Sequence, residues 1–219
     1  MTQENQTTRE RLLRAAIVAF AEEGLDSANL RDICARAEVN LNAVRYHFGG
    51  KEPLYIAAVE SAHRTIVGDR HAYDQRGGMS EDAPEVQLRE IIAGMLAVSM
   101  SEIDRMSPEA MLMRREMMTP TEATAHMARS YVKPRFDYLN SVIARLLPSG
   151  TPKIEQHMLA ISVVSQCFHF KFGRQMDQLV ISKSEYRKFT IPRLTDHVLR
   201  VTLAAIRDYS VSNAEPSTR

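Results

Sequence analysis

Apolar positions recur at three- and four-residue steps along most of the chain, the spacing of an amphipathic α-helix. The first such segment, residues 8–23, carries Leu12, Ala16 and Phe20 on one face. Gly24 follows where a C-terminal cap is expected. Because no stretch alternates apolar and polar residues between hairpin turns, strands are not expected. The pattern predicts an all-α protein.

Glycine and proline residues divide the rest of the chain into further helical segments. The predicted helices cover residues 29–37, 41–48, 51–74, 85–105, 108–118, 121–147, 153–175, 184–188 and 192–209. Pro134 is expected to kink or interrupt its helix, because proline lacks a backbone N–H.

Two domains are expected from this organisation, since one domain usually has about 100–200 residues. Residues 1–50 form an N-terminal arm and a three-helix domain, and residues 51–209 form a larger helical domain. Residues 210–219 are expected to be a flexible tail.

Within the first domain, residues 29–48 have the helix, three-residue turn and helix of a DNA-reading unit. Asn29 occupies the N-cap position of the first of these helices, and an exposed helix N-terminus attracts phosphate. For Asn29 alone, an ordinary cap in a helical bundle is an equally good interpretation.

The second helix of this unit separates an inner face from an outer face. Its inner side is expected to hold Val39, Val44 and Phe48. Side chains expected outside suit contacts to base edges, with Arg45 to guanine, Asn42 to adenine and the Ala43 methyl to thymine. The residues expected to contact phosphates are Asn29, Asn40, Tyr46, His47 and Lys51. From the residues alone, a solvated polar face is the competing interpretation.

Charge supports DNA binding only locally. The chain has 28 Lys and Arg against 27 Asp and Glu, a net charge of +1, so the overall charge does not by itself indicate a polyanionic partner. Residues 39–51, however, contain Arg45, His47 and Lys51 and no carboxylate.

The same composition indicates a cytoplasmic protein without a membrane segment. The N-terminus is polar, and the uncharged run Ile91 to Ser101 is far shorter than the roughly 20 apolar residues of a spanning helix. Cys34 and Cys167 lack metal-ligand or redox-motif spacing, which fits a reducing compartment.

The run LRDICARAEVNLNAVRYHFGGKEPLY, residues 30–55, resembles the TetR family of bacterial regulators. Residues in register with the family pattern are Arg31, Asp32, Ile33, Ala37, Val39, Val44, His47, Phe48, Lys51, Glu52 and Leu54. Glu38 departs from the pattern where the family commonly has glycine, and Arg45 where many members have an aromatic residue or asparagine. The resemblance implies a second domain that dimerises and often binds a small molecule.

Two stripes near the C-terminus are the predicted dimer seam. They comprise Leu159, Val163, Gln166 and Phe170 on one helix and Leu194, Val198 and Val201 on the other. Packing within one chain is the competing interpretation.

Twelve methionines and no tryptophan suggest an adaptable apolar pocket. The pocket candidates are Met95, Met111, Met113, Met117, Met118, Met127, Tyr131 and Phe168, with ordinary core filling as the alternative. The stretch MLMRREMMTPTEA, residues 111–123, also resembles the subgroup of the family with a CecR-like C-terminal domain.

The leading hypothesis is therefore a homodimeric repressor released from a palindromic operator in double-stranded DNA by a small apolar or amphipathic effector. The alternative is a DNA-tethered protein-interaction factor without a small-molecule ligand. No nucleophile elbow, phosphate-binding glycine loop or HExxH motif is present, so neither an enzyme nor a cofactor is expected. His126, His157 and His169 lack the spacing of a metal site, and Glu116 is expected in a surface ion cluster with Arg114 and Arg115.

Overall fold

The fold was analysed in a computed structural model, which describes residues 3–67, 82–101 and 106–212. These residues form helices and connecting turns without a strand, which confirms the all-α prediction. The helices are α1 (Gln3–Ser27), α2 (Leu30–Arg36), α3 (Leu41–Phe48), α4 (Lys51–Val67), α5 (Pro84–Ser99), α6 (Pro108–Met118), α7 (Glu122–Met127), a π-helical turn (Ala128–Val132), α8 (Lys133–Leu146), α9 (Lys153–Phe172), α10 (Arg174–Val180), α11 (Lys183–Tyr186) and α12 (Ile191–Ser212). No helix within the described ranges is long and apolar enough to span a bilayer.

The described residues pack as two compact units. Unit 1 combines residues up to 67 with residues 106–133, and unit 2 combines residues 82–101 with residues 134–212. These units do not follow the predicted boundary between residues 50 and 51, because α4 packs with α1 and α6 inside unit 1. The assignment of effector binding and dimerisation to residues 51–209 stays a prediction.

The core of unit 1 forms where the apolar faces of α1, α2, α4 and α6 meet. Leu12, Phe20, Ile33, Leu54 and Leu112 are all fully buried there. The Phe20 ring meets the Tyr55 ring edge to face, with centroids 4.8 Å apart. The predicted inner face of α1 is thereby confirmed.

The core of unit 2 lies between α5, α8, α9 and α12. Its fully buried side chains include Ile92, Ile143 and Val163. Helices α9 and α12 run antiparallel, since the Tyr209 hydroxyl near the end of α12 donates to Glu155 near the start of α9 at 2.5 Å.

Glycine and proline shape the helices largely as predicted. Gly24 has a φ of 85°, which breaks the helical geometry of α1 at the predicted cap. Pro134 follows the π-helical turn at 128–132, where the Lys133 N–H bonds back to the Ala128 carbonyl. The predicted interruption near Pro134 is therefore confirmed as a π-helical turn.

Several helix ends differ from the prediction. The helix predicted for 153–175 ends at Phe172, and α10 starts afresh at Arg174. Gly173 joins them at a close approach, because a Cβ there would lie 2.5 Å from the His169 ring. Helix α12 reaches Ser212, so the predicted tail starts three residues too early. Parts of three predicted elements lie outside the described residues, namely 68–74, 102–105 and 213–219.

Candidate nucleic-acid interface

The helix-turn-helix predicted for residues 29–48 is formed by α2 and α3. Asn29 has an extended backbone, and its Oδ1 accepts the N–H of Arg31 at 2.9 Å. This interaction confirms the predicted N-cap, leaving the amide Nδ2–H group available to an outside acceptor. We call α1 to α4, residues 3–67, the reading head.

The turn between α2 and α3 contains the least expected residue of the motif. Glu38 has a φ of 54°, a left-handed conformation that favours glycine. The Val39 N–H donates to the Cys34 carbonyl at 3.0 Å and closes the turn. The motif thus keeps its geometry with a glutamate at a glycine position, and its exposed carboxylate lies 3.7 Å from Arg11.

Helix α3 begins at a second asparagine cap. Asn40 Oδ1 accepts the N–H of Ala43 at 3.1 Å, which fixes the first turn of α3. Val44 is 1 % exposed and packs inward, as predicted. A capped start and a buried anchor hold the rest of α3 in a defined orientation.

The outer face of α3 presents Asn42, Arg45 and Tyr46, which are spaced three and four residues apart and are all exposed. Tyr46 is 75 % exposed. An amide, a guanidinium and a phenol on one face can donate hydrogen bonds to base edges and phosphates. Within α3 there is no carboxylate to repel a polyanion.

Two apolar residues in the first turn of α3, Leu41 and Ala43, differ in exposure. Ala43 is half-buried and packs against the core of unit 1, which also contains its neighbour Val44. Its assignment to a thymine methyl stays a prediction. Leu41 is 47 % exposed at the first turn, although helical spacing groups it with Val44. Only its position directly after the Asn40 cap pointed to exposure.

Aromatic and basic side chains connect the end of α3 and the start of α4 to α1. His47 is half-buried and meets the rings of Tyr46 and Phe48 edge to face, with centroids 4.9 and 6.5 Å away. The Arg9 guanidinium lies over the Phe48 ring, 5.0 Å from its centroid. The Lys51 ammonium donates to the Asp26 carbonyl at 2.9 Å and retains two further N–H donors.

A buried carboxylate connects α4 with α6 and α7 in unit 1. Glu116 is 1 % exposed, which corrects its predicted place in a surface ion cluster. It accepts the Tyr55 hydroxyl and the Thr124 hydroxyl, each at 2.5 Å, and the Thr121 hydroxyl at 3.1 Å. Burial is the main cause that raises the pKa of Tyr55 above its usual range, and the hydrogen bond of its hydroxyl to Glu116 raises it further.

The neighbouring Arg115 supports α1 from the same helix. Its guanidinium donates to the carbonyls of Ala21 and Glu22, at 3.4 and 3.1 Å. Free carbonyls at a helix C-terminus attract cations and N–H donors. Adjacent residues of α6 therefore stabilise two helices of the reading head.

The predicted pocket residues are divided between the two units. Met111, Met113 and Met127 pack against the core of unit 1. The Tyr131 hydroxyl accepts from Arg64 at 3.1 Å. Met117 and Met118 are exposed by 62 % and 79 %, while Met95 and Phe168 belong to unit 2.

Most of the predicted dimer seam is core. Leu159, Val163, Leu194 and Val198 are buried within unit 2, Gln166 and Phe170 are half-buried, and only Val201 is exposed, by 42 %. The assignment of those four buried residues to an outer seam is wrong, because the stripe they form is the one that faces the chain's own core. The outer face of α9 instead carries Ile154, Met158 and Ile161.

Two capped helices joined by a short turn, with a polar and basic outer face on the second, define the class of helix-turn-helix DNA-binding proteins. Comparison with known families makes the assignment specific. Residues 12–58 match the model of bacterial regulatory proteins of the tetR family, and residues 84–206 match that of the C-terminal domain of the HTH-type transcriptional dual regulator CecR. The chain belongs to the TetR family of transcriptional regulators, with a C-terminal domain of the CecR type, and members of this family are not enzymes.

Relatives support this assignment over different lengths. The dual regulator CecR of Shigella flexneri is 24 % identical over 181 residues, which is 80 % of each chain. The transcriptional repressor NicS of Pseudomonas putida is 29 % identical over 91 residues, 42 % of this chain and 41 % of NicS.

Solved structures share the fold at low identity. A TetR-family regulator from Mesorhizobium loti has a TM-score of 0.56 and 17 % identity, covering 94 % of this chain and 98 % of its own. FadR from Bacillus subtilis, solved with stearoyl-CoA, has a TM-score of 0.57 and 13 % identity, covering 90 % of this chain and 98 % of its own.

Proposed function

We propose that this regulator is a homodimeric repressor that binds a palindromic operator through α3 and leaves it when a small apolar or amphipathic effector binds. The observation that carries the DNA-binding part is the outer face of α3, where Asn42, Arg45 and Tyr46 are exposed together. We expect the protein to act in the cytoplasm, where the DNA of a bacterium lies.

Base reading is assigned to the exposed polar side chains of α3. Arg45 pairs with guanine through two hydrogen bonds, and Asn42 reads adenine in the same way. The apolar contact to a thymine methyl is assigned to Ala43, which is half-buried, and to Leu41, which is exposed beside it.

Phosphate contacts are assigned to donors that surround this face. They come from Asn29, Asn40, Tyr46, His47 and Lys51. The two asparagines use Oδ1 within the fold and keep their Nδ2–H groups for phosphate. These contacts hold the register of the protein on the duplex without reading its sequence.

The dimer seam is assigned to the outer faces of α9 and α12. Ile154, Met158 and Ile161 lie at i, i+4 and i+7 on α9 and are 62, 49 and 55 % exposed. Leu159 and Val163 fill the opposite face of the same helix. A helix with apolar residues on both faces is normally covered on both sides, and a second copy supplies that cover.

The effector is assigned to unit 1, which contains Met111, Met113 and Met127 packed against its core and also the Tyr131 hydroxyl with its partner Arg64. Flexible methionine side chains accommodate apolar groups of varied shape, and the phenol and guanidinium suit a polar end. The stearoyl-CoA bound by FadR is an amphipathic molecule of this kind. An effector lowers the affinity for DNA by binding more tightly to a dimer whose heads are wrongly spaced, typically by about 1–3 kcal/mol.

Effector binding is tested by thermal unfolding with stearoyl-CoA and with a panel of small amphipathic compounds. A ligand present at about 100 times its dissociation constant stabilises the folded protein by roughly 2.7 kcal/mol. Such a ligand must also release the operator.

Exposed side chains on α6 favour a second candidate function. Met117 and Met118 are 62 % and 79 % exposed, which suits contact with another protein better than a pocket wall. In this alternative the protein tethers a partner to DNA without a small-molecule ligand. Failure of every compound to stabilise the protein, with operator binding intact, favours the alternative.

Operator binding is tested by footprinting on the DNA that adjoins the gene. We expect protection of an inverted repeat whose half-sites lie about 34–36 Å apart, the distance between successive major grooves on one side of the duplex. Absence of any protected repeat, there and in a genome-wide pull-down, contradicts the proposed function.

A further inference from the structure

The short helix α10 exposes its apolar side chains and turns one of its charged side chains, Asp177, inward. Met176, Leu179 and Val180 lie at i, i+3 and i+4 and are 64, 81 and 75 % exposed. On another side of the helix, the Asp177 side chain is only 14 % exposed, and its carboxylate oxygens lie 3.0 and 3.1 Å from His169 Nε2. An ordinary surface helix has the opposite arrangement.

The anchor of α10 fixes this orientation. The hydrogen bond between His169 and the Asp177 carboxylate ties α10 to the end of α9, and the close approach of Gly173 to the His169 ring sets the junction between them. The exposed apolar face is therefore held in place by the chain itself. Contiguous apolar surface of this kind marks an interaction site.

A complementary apolar surface exists on the same unit, beyond the reach of α10 in its own chain. It is the stripe of Ile154, Met158 and Ile161 near the start of α9. At about 1.5 Å per residue, α9 separates Met158 from Gly173 by roughly 22 Å. Because α10 begins at the far end of α9, it cannot cover this stripe within one chain.

A twofold-related copy removes this separation. In an isologous contact with the two α9 helices antiparallel, the end of each α9 lies beside the start of the other. We propose that α10 is an arm that packs its apolar face on the start of α9 in a second copy of this chain. Leu179 then lies against the partner subunit's Met158, and the symmetric contact covers the other end of the seam. This inference rests on the proposed homodimer and adds the arm and its direction.

Cysteine trapping tests the contact, because a disulfide forms only between residues whose Cα atoms lie within about 7 Å. The two native cysteines are buried and stay in place. We expect Met158→Cys combined with Leu179→Cys to give a covalent dimer on oxidation. Leu179→Cys alone is the control and is expected to stay uncrosslinked, since the two arms lie at opposite ends of the seam.

Sedimentation of charge variants gives an independent measurement. Leu179→Asp combined with Val180→Asp is expected to raise the dimer dissociation constant about tenfold or more, because it buries two carboxylates in an apolar contact. Gln178→Asp adds a charge on another side of α10 and is expected to leave the constant within about twofold.

Three results overturn the proposal in distinguishable ways. A wild-type dimer whose double-cysteine variant does not crosslink shows that α10 does not contact the partner's α9, and the homodimer stands. Crosslinking of Leu179→Cys alone shows a parallel seam, which contradicts the direction of the arm. A wild-type chain that sediments as a monomer at every concentration contradicts both the arm and the homodimer.

Discussion

The reading head and unit 2 differ in how many large apolar side chains they expose. Among large apolar and aromatic residues of the head, only Leu41 and Tyr46 are exposed, and both belong to the helix assigned to DNA. In unit 2, α9 and α10 together expose Ile154, Ile161 and Leu179 along with further apolar residues. The head exposes large apolar side chains on its DNA-binding helix, whereas the exposed apolar faces of unit 2 are the ones that the proposed homodimer would cover.

The largest effect is expected in the core of the head. Phe20→Ala removes a fully buried ring that packs against Tyr55, so we expect a loss of about 3–5 kcal/mol in the free energy of unfolding. Tyr46→Ala, on the exposed face, is the control and should change that free energy by less than about 0.5 kcal/mol. Chemical denaturation measures both. Equal effects would mean that the head does not separate core from binding surface.

The two faces of α9 can be separated in the same way. Leu159→Ala opens space in the core of unit 2 and should cost about 2–5 kcal/mol of unfolding free energy. Ile161→Ala should cost far less in the isolated protomer and should instead weaken the dimer. Denaturation at low protein concentration, together with sedimentation, distinguishes them. Reversed results would return the seam to the stripe that contains Leu159.

The next largest change in the free energy of unfolding is expected at the buried carboxylate of Glu116. Tyr55→Phe keeps the ring but removes a donor from Glu116, so we expect a loss of about 1–3 kcal/mol. The pKa of Tyr55 is raised in the fold, so its contribution is complete below the unfolded value of about 10 and is lost as the pH rises above it. Wild-type stability should therefore fall more steeply above about pH 10 than that of Tyr55→Phe. Parallel pH curves would contradict this assignment.

The smallest effect is expected at the turn. Glu38→Gly relieves a left-handed backbone, and after the greater flexibility of glycine in the unfolded chain we expect a gain of about 0.5–1 kcal/mol. Glu38→Ala removes the same carboxylate without relieving the backbone and serves as the control. A Glu38→Gly protein no more stable than Glu38→Ala contradicts strain at this turn.

The sequence predicted the head well because its signals are local. Asparagines at both caps, Gly24 at the break in α1 and Glu38 at a glycine position each act within a few residues. The helices of unit 2 were also predicted, but the side of each helix that faces the core was not. Leu159 and Ile161 are equally apolar, and only the position of neighbouring helices decides which of them is buried.

The same limit explains Glu116 and α10. Three charged residues in a row, Arg114 to Glu116, are typical of a surface, and the Tyr55 hydroxyl that donates to Glu116 lies 61 residues away in the chain. For α10, the i, i+3 and i+4 spacing of apolar residues was present in the sequence, but one helix was predicted over residues 153–175 and none over residues 176–183. A contact that depends on tertiary placement leaves little trace in local spacing.

The division of roles between base contacts on α3 and phosphate contacts around it is the central claim, and operator variants measure it most directly. Affinities for an operator and for a set with single base-pair changes are compared in wild type, Arg45→Ala and Lys51→Ala, with Arg207→Ala on α12 as the charge control. We expect Arg45→Ala to lose about 1–3 kcal/mol of discrimination at one base pair, and Lys51→Ala to weaken all sequences alike with a flatter salt dependence. An Arg45→Ala protein that keeps full discrimination at every position contradicts the account.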